Sequence, residues 1–143
     1  MKTITEQKPW EEIVEMLKGV ERVYLTGDRE KRLPAHASFC VEFIEGEAML
    51  LMLAAKGIFT ASGSACSSKA LKASPVLLSM GVPSSLAQGS LVFSLGMDNT
   101  GEDIEYLLGE FPAVIGRLRE ISPFAQKGWG DREEGGNECT VTE

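Results

Sequence analysis

The chain has few cysteines, a single histidine and no excess of positive charge. Three cysteines, Cys40, Cys66 and Cys139, make neither a paired framework nor a Cys-x-x-Cys metal clip. A disulfide scaffold and a metal site are therefore not expected, and a reducing cytoplasm is the simplest setting. Lysine and arginine total 14 against 21 acids, a net charge of −7. That balance argues against a general binder of nucleic acid or anionic membrane. No apolar run reaches the roughly 18 residues of a membrane span. Residues 1–8 lack the apolar stretch of a secretory signal and read as a leader. There is no internal repeat. What is present is 143 residues with 43% hydrophobic content, enough for one domain with a real core.

Hydrophobic spacing lays out the elements. Pro9 suits a first helical turn, and Trp10, Ile13, Val14 and Leu17 follow at helical spacing up to Gly19. Residues 20–25 predict a short strand, 26–28 a turn and 28–32 a solvated loop that includes Lys31 and Arg32. Residues 37–43 predict a strand through Phe39, Val41 and Phe43. Residues 45–56 predict a helix whose apolar run from Ala48 to Ala55 should be heavily buried, with Gly57 as its stop. Residues 58–61 predict a brief strand. Ser74-Pro75 opens a short helix that Gly81-Val82-Pro83 closes, and 84–88 add a helical turn. Ser90 to Leu95 alternates with period two, a half-buried strand. Thr100 caps a long helix with Ile104, Leu107, Leu108, Phe111, Ile115 and Leu118 as its core stripe, and Pro112 predicts a kink or break in it. Residues 9–123 thus form one α+β domain, a small antiparallel sheet covered by helices. Residues 124–143, acidic and glycine-rich, are expected to be a disordered tail.

The most informative stretch is Gly63-Ser64-Ala65-Cys66-Ser67-Ser68. It places one thiol among small and hydroxylic residues, with Lys69 and Lys72 just beyond. A thiol acts as a nucleophile or sulfur carrier only as a reachable thiolate, which nearby cations favour. The competing reading is a plain Gly/Ser turn before a helix, with Cys66 as a small apolar filler. Of the other two cysteines, Cys40 lies in a predicted strand and should be shielded. Cys139 lies in the tail beside Glu138, which disfavours its thiolate.

The surrounding motifs decide between these readings. In order they are Arg32-Leu33-Pro34-Ala35-His36-Ala37-Ser38-Phe39, Glu45-Gly46-Glu47-Ala48, the cysteine loop, Pro75-Val76-Leu77-Leu78, Ala87-Gln88-Gly89-Ser90-Leu91 and Phe93-Ser94-Leu95-Gly96. In this order the chain resembles the C-terminal small domain of the NifS-type cysteine desulfurases, pyridoxal-phosphate enzymes of the class V aminotransferase family. The resemblance implies the small-domain layer of the fold-type I enzymes. It also implies that Cys66 is the catalytic cysteine, carrying sulfur as a persulfide, with Gly63, Ser64, Ala65, Ser67 and Ser68 supporting its loop. It links the chain to iron–sulfur cluster biogenesis.

Departures from the family pattern limit that inheritance. The family's large domain, with its cofactor lysine and stacking histidine, has no counterpart here, and none of the eight lysines has the cofactor-lysine context. His36 belongs to the small-domain match and reads as a packing residue. Val92 stands where the family carries an arginine that grips the substrate carboxylate, and valine offers neither charge nor donor. Gln88 and Met97 replace a usual histidine and arginine. The chain alone is therefore expected to bind no pyridoxal phosphate and no metal. Two functions remain. One is a sulfur-transfer component, acting with a separate cofactor domain or a sulfur-acceptor protein. The other is a degenerate docking module, or a fragment of a decayed desulfurase. A face covered by the large domain in the family should leave this chain self-associating or partnered near Val92, and Trp129 is a possible tail anchor for a partner.

Overall fold

The computed structural model describes residues 13–15, 17, 19–63 and 73–123. Three short strands, β1 (Val23–Leu25), β2 (His36–Val41) and β3 (Ser90–Ser94), form one antiparallel sheet in the order β1-β2-β3. Four labelled helices accompany it: α1 (Gly46–Ala54), α2 (Pro75–Ser79), α3 (Ser84–Ala87) and α4 (Gly101–Ile121). This is the expected α+β class. Residues 1–12, residues 64–72 with Cys66, and residues 124–143 with Trp129 and Cys139 lie outside the described residues.

The register sorts the sheet into two faces. Ala37 lies opposite Phe93, and Phe39 opposite both Leu25 and Leu91. These side chains face the main core with Val41, α1's Met49 and Leu53, and the helical residues Ile13, Val14 and Leu17. From α4 come Ile104, Leu107, Phe111, Val114, Ile115 and Leu118. Phe39, Phe93 and Phe111 meet edge to face at 6.2 and 6.0 Å between centroids. Burying each such side chain contributes about 1.5–3 kcal/mol. Two chain crossings allow no side chain at all. A Cβ on Gly89 would lie 2.0 Å from the Val41 carbonyl oxygen, and one on Gly46 2.6 Å from the Ser90 carbonyl oxygen.

Several expectations change. α1 is not heavily buried: only Gly46, Met49 and Leu53 are, and Leu51 is 70% exposed. The helix touches the sheet and α4 along one side, so an all-round apolar sequence leaves the other side outward. β1 begins only at Val23 because Arg22 adopts φ +59°, and β2 ends before Phe43 at φ +67°. Residues 58–61 form no strand, only a single bridge from Ala61 to Val92. α4 runs unbroken through Pro112. Pro112 is on the exposed side, so the carbonyl that loses its partner there can turn to water.

The C-terminal end of α4 holds the two turns with positive φ. The Arg119 guanidinium donates to the carbonyls of Glu21 and Arg22, and the Ser122 hydroxyl donates to the Phe43 carbonyl at 2.6 Å. The Arg22 guanidinium stacks 5.0 Å from the centre of the Phe43 ring. Residues 21–22 and 43 thereby fix where β1 starts and where the chain leaves β2 for α1.

Candidate functional site

The sheet face opposite the core carries three cross-strand pairs: His36 with Ser94, Ser38 with Val92, and Cys40 with Ser90. Helices α2 and α3 cover one end. There Cys40, Ala73, Leu77 and Ala87 make a second apolar cluster, with Val82 and Leu86 packed against it. The other end is open: Ser94 is exposed and His36 half-buried. Val92 and Ser38 sit between, half-buried. The Thr26 hydroxyl lies 2.7 Å from that of Ser38. Arg32 is more than the solvated charge expected of it. Its guanidinium donates to the carbonyls of Thr26 at 2.6 Å and Asp28 at 2.7 Å, and so ties down the loop after β1.

Val92 spends its backbone on the cysteine-loop side. Its N–H donates to the Ala61 carbonyl at 2.7 Å, and its carbonyl accepts from the Ala61 N–H at 3.1 Å. Two residues later, Gly63 arrives beside Ser90 and Ser74. A Cβ placed on Gly63 would lie 3.4 Å from the Ser90 hydroxyl oxygen and 3.4 Å from the Ser74 Cβ. The structure thus brings together Val92, Gly63 and the start of the segment that holds the thiol. Ser64, Ala65, Cys66, Ser67, Ser68, Lys69 and Lys72 lie outside the described residues. Ser74 and Ser90, both buried, were missed as parts of this site. Period-two alternation gave only a half-buried strand from Ser90 to Leu95, with nothing to say that Ser90 itself is covered. The apolar content of α2 and α3, which must cover something, was the available signal.

Cys40 is the shielded thiol expected. It is fully buried, and desolvation pushes its pKa from 9.0 to about 11. Of the described lysines, Lys31 sits in the exposed loop. Lys56 pairs with Glu110 at 3.0 Å, which raises its pKa and holds it as an ammonium. A Schiff base needs a neutral amine in a lined cleft. Two grooves, of about 270 and 230 Å³, lie on either side of Phe43. Neither has a lysine in its lining. The described residues therefore do not fit pyridoxal phosphate. No helix among the described residues is long and apolar enough to cross a membrane.

Residues 3–107 match the family Aminotransferase class-V. The chain belongs to that family. Among curated relatives it is 45% identical over 109 residues to a cysteine desulfurase of Gluconacetobacter diazotrophicus, covering 76% of this chain and 27% of that protein. It is 44% identical over 115 residues to a cysteine desulfurase IscS of Dictyoglomus turgidum, covering 80% and 29%. The X-ray structure of a NifS-like protein from Rickettsia africae aligns at TM-score 0.67 with 25% identity, covering 80% of this chain and 29% of that one. The NifS-type resemblance of the motifs and the small-domain fold are thus confirmed. The chain spans under a third of the length of the curated relatives it matches.

Proposed function

We propose that this class-V aminotransferase family member handles sulfur through Cys66, as the small domain of a cysteine desulfurase does. The observation that carries this is the hexapeptide Gly63–Ser68, present within the region matched at 45% identity to a cysteine desulfurase. The Cys66 thiolate attacks the outer sulfur of a donor persulfide. A new S–S bond forms at Cys66, the donor's S–S bond breaks, and the donor leaves as a thiolate. One sulfur atom moves: the donor is reduced from persulfide to thiolate as Cys66 is oxidised from thiolate to persulfide, and no outside oxidant or reductant is needed. Lys69 and Lys72, close in sequence, favour the thiolate.

Val92 confines the chain to that role. A substrate carboxylate is held by a charged, bidentate donor, and the pairs around Val92 are Ser38, Ser90 and Ser94, His36 and the main chain of Ala61. The chain alone therefore binds no pyridoxal phosphate and liberates no sulfur from free cysteine. Its partner is a separate cofactor domain or a sulfur-acceptor protein, in a cytoplasmic setting. Mass spectrometry after incubation with an active desulfurase and cysteine tests the reading. The expected result is a mass increase of one sulfur on Cys66 that Cys66→Ser removes. Label at Cys139 instead, or none, overturns it. A visible absorbance band from bound pyridoxal phosphate would overturn the cofactor statement.

A second reading, a docking module without chemistry, is favoured by Val92 and by outward apolar side chains. Phe59, two residues before the Ala61 bridge, is 85% exposed, and Met97 is 97% exposed. An inert Cys66 with stable complex formation would select it.

A further inference from the structure

Two residues other than glycine hold a left-handed backbone, Arg22 at φ +59° and Phe43 at φ +67°. That region favours glycine, and a bulky side chain held there is strained. The strain is held in place from the end of α4. Arg119 donates to the carbonyls of Glu21 and Arg22, and Ser122 to that of Phe43. Strain of this kind gathers at ligand clamps. Here it presents a half-buried aromatic ring with a guanidinium stacked 5.0 Å from its centre. Phe43, Ile44 and Glu45 line both neighbouring grooves, so one ridge separates the two. Leu86 adds apolar lining to the groove of about 270 Å³, and Ala48 and Ile121 to the groove of about 230 Å³.

Pockets that enclose a small molecule run to about 300–1,000 Å³. Each groove is smaller and the pair is divided, which suits separate side chains more than one compact ligand. The charges narrow the choice. Arg22 is matched by Glu42 at 3.2 Å, and the other Glu42 oxygen accepts from the Tyr24 hydroxyl at 3.3 Å. Glu45 is exposed, makes no capping bond to α1 and has no ion pair among the described residues. The unmatched charge on the ridge is therefore negative. We infer that the ridge and its grooves are a docking site for a partner protein's segment with two apolar side chains beside a lysine or arginine. One apolar side chain enters each groove, and the cation meets Glu45. In an extended segment, residues i and i+2 share a face about 7 Å apart, which lets them straddle one ridge.

The test titrates the isotope-labelled full chain with the acetylated, amidated peptide Gly-Leu-Lys-Leu-Gly, and with the same peptide carrying glutamate for lysine. Amide shifts are read by nuclear magnetic resonance at low salt. The lysine peptide is expected to bind with Kd on the order of 1 mM and to shift Ile44, Ala48, Leu86 and Ile121. The glutamate peptide binds about fivefold more weakly, since repulsion replaces an exposed ion pair. Glu45→Gln weakens the lysine peptide about threefold and brings the two peptides together. Ile121→Ser, at a position 63% exposed, weakens both peptides alike. Equal binding of the two peptides to wild type overturns the inference, as does a Glu45→Gln chain that still separates them. Shifts centred elsewhere, or none at about 10 mM peptide, also overturn it. The same shifts on concentrating the chain alone would give the ridge to a second copy and overturn the partner. Cys66 takes no part in the test, so the result is independent of the sulfur-transfer reading.

Discussion

Cys40 is the residue whose environment most constrains its chemistry. It has no exposed surface, and desolvation alone pushes its thiol up to about 11 from 9.0. The thiolate is disfavoured in the folded state, so folding and the neutral thiol support each other. The folded pKa lies above the unfolded one. The contribution is therefore complete below about pH 9 and is lost as pH rises from there through about 11, where the unfolded chain ionises first. Cys40→Ala replaces the thiol with a group that cannot ionise, at the cost of a small cavity. Urea titrations of both proteins from pH 7 to 11 should show wild type losing more stability than the variant above pH 9. Parallel curves would show that Cys40 does not control this window.

At the scale of elements, α4 carries an avoidable defect. Its start is well made: the Thr100 hydroxyl accepts from the Asp103 N–H at 3.3 Å, and the Asp103 carboxylate accepts from the Thr100 N–H at 2.8 Å. Those bonds hold the Asp103 carboxyl below its usual range. Its middle contains Pro112, exposed and without an N–H, inside 21 residues of continuous helix. Pro112→Ala restores one backbone donor without touching the core. We expect it to stabilise the chain by on the order of 1–3 kcal/mol, read as a raised midpoint in urea. An unchanged or lowered midpoint would mean that the proline is fitted to a local bend. The stripe and cap of this helix were legible in the sequence because spacing and capping are local. The expected break at Pro112 was not a matter of local pattern. Whether a proline interrupts a helix depends on which side faces water, and that is set by the partners of the helix. The same reason explains α1. Its apolar run read as buried, but burial needs a neighbour on each side, and Leu51 is left 70% exposed. The hexapeptide from Gly63 to Ser68 and Val92 stood out in the sequence, and of these only Gly63 and Val92 lie among the described residues. That Ser74 and Ser90 lie beside Gly63 was not legible, because residues from distant elements meet only in the folded chain.

Across the whole molecule, the apolar surface is uneven. Phe59 and Leu51, at 85% and 70% exposure, are large side chains left outside a core that buries Met49 and Leu53 completely. The surroundings of Val92 are more polar, with Ser38, Ser94 and Thr26 close by, so the contact expected near Val92 is better represented by Phe59, just before the Ala61 bridge. Full burial of one such ring is worth about 1.5–3 kcal/mol. Sedimentation velocity over a wide concentration range should show self-association that Phe59→Ser weakens. A single species at all concentrations, unchanged by the substitution, would count against it.

The order of the strands also orders events in time. β2 and β3 are adjacent in the sheet but far apart in the chain, with α1, the cysteine segment and two short helices between them. Closing a loop that long costs entropy before any of the pairing is gained, so strand β3 joins late. Until it does, Ser90 is not in place opposite Cys40. Pulsed thiol labelling during refolding should show Cys40 protection appearing with the slowest folding phase, since Cys40 is covered only when Ser90 pairs with it. Protection in the earliest phase would place β3 docking at the start.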